Sequence, residues 1–161
     1  LDRNIKRIFR FVEQNTDIEI HIACNYIPKK LKDTIPNLKN IIFHGRLPHE
    51  EAQRLLSEMD YCLLMYNPML GNYQHIQPTK FYDCLALGLP YICSKGMINL
   101  EKHINNSTEN ISWEYDADMI NLPLKKTKFS MYSRDLYSSK YEYKKVLDAY
   151  KQIIEEECKK L

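Results

Sequence analysis

Gln77-Pro-Thr-Lys-Phe-Tyr-Asp-Cys-Leu-Ala-Leu-Gly-Leu-Pro-Tyr-Ile-Cys-Ser94 is the stretch on which the fold turns. It reads as a turn, a short helix beginning near Thr79, a break at Gly88 and a buried strand over residues 90–93. Pro78 suits a helix start, where its missing N–H is not needed and its fixed φ is already helical. The first turn then directs backbone N–H groups outward beside Thr79 and Lys80, the arrangement by which a helix terminus holds phosphate. Asp83 stands one turn further along the same helix. A phosphate site followed by a carboxylate within reach of sugar hydroxyls points to a nucleotide-diphosphate pocket. A plainer reading makes Thr79 an N-cap, Lys80 a surface lysine, Asp83 a solvated helix acid and Gly88 a C-cap.

Working outward toward residue 1, Ile5, Ile8, Phe9 and Val12 recur at helical spacing and predict an amphipathic helix over about residues 2–15. Residues 18–24 are an apolar-rich strand in which His21 is read as a satisfied sheet residue. A Pro-flanked basic excursion fills residues 26–39, and a second strand over 40–44 closes at Gly45. Pro48 opens a helix whose buried stripe is Ala52, Leu55, Leu56 and Met59. Residues 60–66 form a continuous apolar strand, the kind buried on both faces of a parallel sheet. The loop 67–77 is polar, with Pro68 and Gly71.

Beyond the central stretch come a short helix over 99–104, a weak strand over 111–115 and an irregular segment over 122–128. Val146, Leu147, Tyr150, Ile153, Ile154, Cys158 and Leu161 then mark a long amphipathic C-terminal helix. Strands alternating with helices predict a Rossmann-like α/β fold, a mainly parallel sheet with helices on both faces. The expected organisation is one domain over 1–161, with a core over about 1–124 and a helical tail over about 125–161. Opening on a helix predicts that the first strand lies upstream or is missing. Ligands of such sheets bind at the carboxyl ends of the strands, where Gly45, Asn67 and the loop before Thr79 would converge.

A chain of 161 residues, 44% hydrophobic and 27% charged, can bury a real core. Its net charge of +2 is too small to argue for nucleic acid. No apolar run approaches the roughly 18–20 residues of a membrane span, and no secretory leader is visible. The five cysteines form no CxxC pair and sit mostly in apolar runs, which predicts reduced thiols in a cytoplasmic protein. The sequons at Asn105, Asn106 and Asn110 are then simply a polar loop. Lys125, Lys126, Lys128, Arg134, Lys140, Lys144 and Lys145 interleave with Tyr132, Tyr137, Tyr141 and Tyr143. That mixture allows peripheral association with the inner membrane face. A solvated face with tyrosine bodies packed inward is the preferred reading.

Taken in order, these pieces resemble the C-terminal, nucleotide-sugar-binding half of family 4-like glycosyltransferases of the GT-B fold. The resemblance is carried by residues 78–92, which follow the family pattern Pro-x-Lys-x-x-Glu-x-x-Ala-x-Gly-x-Pro-Val-Ile. His44-Gly45-Arg46-Leu47-Pro48 and the segment after Tyr137 support it. The resemblance implies that Asp83 binds the ribose hydroxyls and that Thr79 and Lys80 hold the diphosphate. Gly45, Arg46 and Leu47 would line the base, and Glu101 is a further donor-contact candidate. Counting back eight positions from Asp83, where the family often carries an acid near the donor sugar, gives His75. The usual Glu-Gly-Phe-Gly is also replaced.

The substrate so implied is a UDP- or GDP-sugar, with no cofactor required. The acceptor would be a glycan or lipid-linked molecule, gripped by an N-terminal domain absent from this chain. Metal need not take part. The lone Asp-x-Asp spacing, Asp116-Ala-Asp118, is read as a helix-start acid cluster. Two alternatives stay open: half of a GT-B sugar-nucleotide epimerase, and a non-catalytic scaffold that binds a partner, motivated by the lost acid at position 75.

Overall fold

Asn4 and Asn40 tie down the two ends of the first helix, α1 (Ile5–Gln14). The computed structural model describes residues 4–27, 39–104, 109–116, 122–124 and 130–158. Asn4 Nδ2 donates to the Tyr115 carbonyl at 2.5 Å, and Asn40 Nδ2 donates to the carbonyls of Val12 and Ile18 at 3.1 and 2.9 Å. Between these clips Ile8, Phe9 and Val12 are buried, as the helical spacing predicts, while Ile5 of the same stripe is half-buried and Phe11, outside it, is buried too.

Two parallel sheets lie against the helices. β1 (Ile20–Ala23) pairs with β2 (Ile41–Gly45), Ile20 opposite Ile41, with a register shift between Ile22 and Ala23. β3 (Cys62–Leu64), β4 (Tyr91–Ser94) and β5 (Ile111–Trp113) form the second sheet, with β4 in the centre. The remaining elements are α2 (His49–Ser57), a 3₁₀ turn (Tyr73–His75), α3 (Thr79–Leu87), α4 (Ile98–Glu101), α5 (Met131–Leu136), a π turn (Tyr137–Tyr141) and α6 (Tyr143–Cys158). Strand alternation distributes the core over both faces. Tyr91 and Cys93 join Leu64, Phe81, Cys84 and Leu85 on the α3 side, while Ile92 joins Met65 and the α1 residues on the other. The result is a small α/β domain, two parallel sheets flanked by helices, of generic Rossmann-like form.

Three expectations are corrected in detail. The strand foreseen over 60–66 keeps a ladder only over Cys62–Leu64, paired with Tyr91–Cys93 of β4. Met65 and Tyr66 remain buried beyond it. The α2 stripe of Ala52, Leu55, Leu56 and Met59 is half-buried rather than buried, since α2 covers an edge of the core. The C-terminal helix forms, but its apolar stripe does not pack down. Tyr150 and Ile153 are 63% and 56% exposed, and Val146 and Leu147 are exposed as well.

Asn110 is buried, accepting from the Tyr91 N–H at 3.1 Å, so this member of the foreseen polar loop is a core ligand of the sheet. Asn105, Asn106, Asp118, Lys125, Lys126, Lys128, Leu161 and most of the 26–39 excursion lie outside the described residues. No helix among the described residues is long and apolar enough to cross a membrane.

Candidate functional site

α3 is held at both ends by devices written into its sequence. Pro78 occupies the N-cap position with φ −65° and ψ 149°, and no side chain caps the helix there. Thr79 is therefore the first helical residue rather than a cap. The Phe81 N–H turns back to the Pro78 carbonyl at 2.8 Å, which leaves the start of the helix to Thr79 and Lys80. At the other end Gly88 adopts φ 64°, a left-handed conformation that costs glycine nothing. The Leu89 N–H reaches the Cys84 carbonyl at 2.8 Å, closing a Schellman cap. Arg134 donates to the Ala86 carbonyl, and the Ser130 N–H to the Gly88 carbonyl at 2.6 Å, so the last turn is locked beneath α5.

The body of α3 is oriented by Phe81, fully buried, whose ring meets Tyr91 edge-on at 5.6 Å and stacks on His103 at the same distance. Tyr82 meets the Phe81 ring edge-on at 5.4 Å, donates to Gln77 Oε1 at 2.9 Å and meets the Tyr141 ring at 5.2 Å. Asp83, only 9% exposed, follows on the next position. Lys80 Nζ lies 3.1 Å from Asp83 Oδ2, so two of the predicted residues meet as an ion pair. Lys80 remains the more exposed partner.

The other predicted residues are distributed around this helix. His75 is exposed at the end of the 3₁₀ turn, and its carbonyl accepts from Asn99 Nδ2. That bond ties the variable loop to the start of α4, just past the carboxyl end of β4. Glu101 has a carboxylate already engaged by two donors, the Gly96 N–H at 3.0 Å and Ser112 Oγ at 2.5 Å. It clamps the β4–α4 turn onto β5. Gly45 ends β2 with φ 67°, and Arg46 beside it is exposed.

Leu47 lines a shallow groove of about 370 Å³ together with His44, Glu51, Arg54, Leu55 and Glu58. Thr79, Lys80 and Asp83 are not among its walls. Of the predicted residues only Leu47 lines this groove along α2, while Thr79, Lys80 and Asp83 stand together at the α3 start.

The His21–His44 pair was not foreseen. His21 Nδ1 and His44 Nε2 are 3.0 Å apart with the rings stacked at 5.1 Å, which satisfies His21 within the sheet as expected. Only the strand register could have revealed the partner. No group of three or more metal-capable side chains occurs among the described residues.

Cys24, Cys62, Cys84 and Cys93 are thiols. Hydrogen bonding with Cys62 and then burial push the Cys84 thiol well up, and burial followed by the Glu101 charge pushes Cys93 up to about 12. Both shifts disfavour the thiolate, the form in which a cysteine reacts. Chemically, the α3 start offers an uncapped helix terminus, one lysine and one largely buried carboxylate.

What the fold defines is an α/β domain compatible in general shape with nucleotide-binding proteins. No protein-family model matches the chain, and no curated protein matches it.

Proposed function

We propose that this chain is the donor-binding half of a GT-B glycosyltransferase, gripping a nucleotide diphosphate sugar for transfer to a glycan or lipid-linked acceptor. The observation that carries the reading is the start of α3, where an uncapped helix terminus stands beside Lys80 with Asp83 fixed one turn on. Helix N–H groups and Lys80 would stabilise the charge of the departing diphosphate. Asp83, shorter than glutamate but anchored, would accept from the ribose hydroxyls. Thr79 would add a backbone N–H and a hydroxyl at the phosphate. The parallel sheets favour the same edge, because α3 begins after the carboxyl end of β3 and Gly45 ends β2. Gly45, Arg46 and Leu47 would line the base, and His75, exposed beside Asn99, would approach the sugar.

Competition separates the parts of this site. A thermal-shift series with uridine, pyrophosphate, UDP and GDP should rank a diphosphate nucleotide above pyrophosphate and pyrophosphate above the nucleoside. Equal, negligible shifts for all four would overturn the reading.

The exposed stripe of Val146, Leu147, Tyr150 and Ile153 favours a second reading, a scaffold that binds a partner through α6. In that case Lys80 and Asp83 serve only each other, and no nucleotide binds at millimolar concentration.

A further inference from the structure

We infer that β1 and β3 are the two walls of a slot for one more parallel strand, apolar on both faces and joined to the amino-terminal end of α1. Each wall is bonded on one side. The Ile20 N–H donates to the Asn40 carbonyl at 2.9 Å, so strand alternation turns the N–H and C=O of His21 toward the opposite edge. In the same way the Cys62 N–H donates to the Pro90 carbonyl at 2.9 Å, and the backbone groups of Leu63 face away from β4. β1 is otherwise paired only to β2, and β3 only to β4, among the described residues.

α1 lies over both sheets. Its amino end is bonded to the Tyr115 carbonyl beyond β5 and its carboxyl end to Asn40 before β2. Its buried face gathers Ile20, Ile22 and Ile41 from one sheet and Leu63 and Ile92 from the other, with Met65 just past β3. One helix therefore covers the ground between two parallel sheets. α2, which connects β2 to β3, sends Leu56 to the opposite cluster, on the α3 side. The connecting helices thus change faces between β2 and β3.

A doubly wound sheet of order 3-2-1-4-5-6 changes faces at that point, and reading β2, β1, β3, β4 and β5 onto it leaves position 1 unfilled. A strand in that position, joined to β1 through α1, would make the right-handed crossover that parallel neighbours use. That strand would lie between the two clusters, which requires apolar side chains on both faces. The inference stands on strand order and does not depend on the nucleotide reading.

Amide hydrogen exchange on three forms of the chain tests it. One form is unextended. A second carries a five-residue Val/Ile strand and a Gly-Ser link ahead of Leu1, and a third carries a Gly/Ser extension of equal length. The His21 and Leu63 amides should exchange far faster than those of Ile20 and Cys62 in the unextended chain. They should slow at least tenfold with the Val/Ile extension only. Phe43 and Ser112, whose amides face the outer edges of β2 and β5, should not change. Equal protection of His21 and Ile20 in the unextended chain would show the slot already closed. Protection that appears at Phe43 or Ser112, or at no amide, would equally overturn the inference.

Discussion

Lys80 Nζ and Asp83 Oδ2 stand 3.1 Å apart on the first two turns of α3, the lysine half-exposed and the aspartate largely buried. An i,i+3 pair with one solvated member contributes a few tenths of a kcal/mol to stability. Replacing Lys80 by methionine should therefore leave the denaturation midpoint nearly unchanged. Affinity for a nucleoside diphosphate should fall about tenfold, as for loss of one charge-assisted phosphate contact. The discriminating measurement is the ratio of nucleoside diphosphate to nucleoside affinity, which the substitution should reduce. A loss of stability above ~1 kcal/mol with that ratio unchanged would make the pair structural.

Gly88 carries the left-handed residue of the Schellman cap, and its carbonyl receives the Ser130 N–H at 2.6 Å. Gly88→Ala should destabilise the domain by about 1–2 kcal/mol, the penalty of a Cβ in that conformation. Urea denaturation should show a lower midpoint with an unchanged slope.

Tyr91 is fully buried at the centre of its sheet, and its hydroxyl donates to the Leu100 carbonyl at 2.9 Å. Burial drives the phenol far above its ordinary range, so it remains a donor at every accessible pH. Tyr91→Phe keeps the ring against Phe81 but leaves that carbonyl only the His103 N–H at 3.2 Å, at a cost of about 0.5–1.5 kcal/mol. Amide exchange in α4 should accelerate accordingly.

His103 stacks on Phe81 and hydrogen-bonds Tyr132 at 3.1 Å, and burial, then Lys140 and Lys102, lower its pKa. The unfolded chain therefore binds a proton at a pH where the folded one does not. Stability from this site is complete above the ordinary value of about 6.5 and declines as pH falls from there toward the folded value. The wild-type minus His103→Phe difference should be flat above pH 7 and slope downward below 6.5. A flat difference across both ranges would show that His103 titrates normally.

Much of the fold was legible because its signals are local. The spacing of Ile8, Phe9 and Val12, the Gly88–Pro90 break and the apolar run into Tyr91 each specify their element without knowledge of the rest. What the sequence left hidden depends on partners distant along the chain. The β3 ladder stops at Leu64, and no property of Met65 or Tyr66 announces that. The stripe on α6 has the periodicity of a buried face, yet periodicity does not say whether a surface is present to cover it.

Among the candidate residues, the proximity of Thr79, Lys80 and Asp83 was readable because one helix carries all three. Glu101 was not, since Gly96 and Ser112, which engage its carboxylate, meet it only after folding.

The most direct test of the donor-site account is isothermal titration calorimetry with UDP and with GDP on wild type and Asp83→Ala. The account predicts a saturable heat for one of the two nucleotides with wild type, and affinity at least tenfold weaker for Asp83→Ala. Equal heats for the two proteins, or no saturable heat with either nucleotide at millimolar concentration, would contradict it.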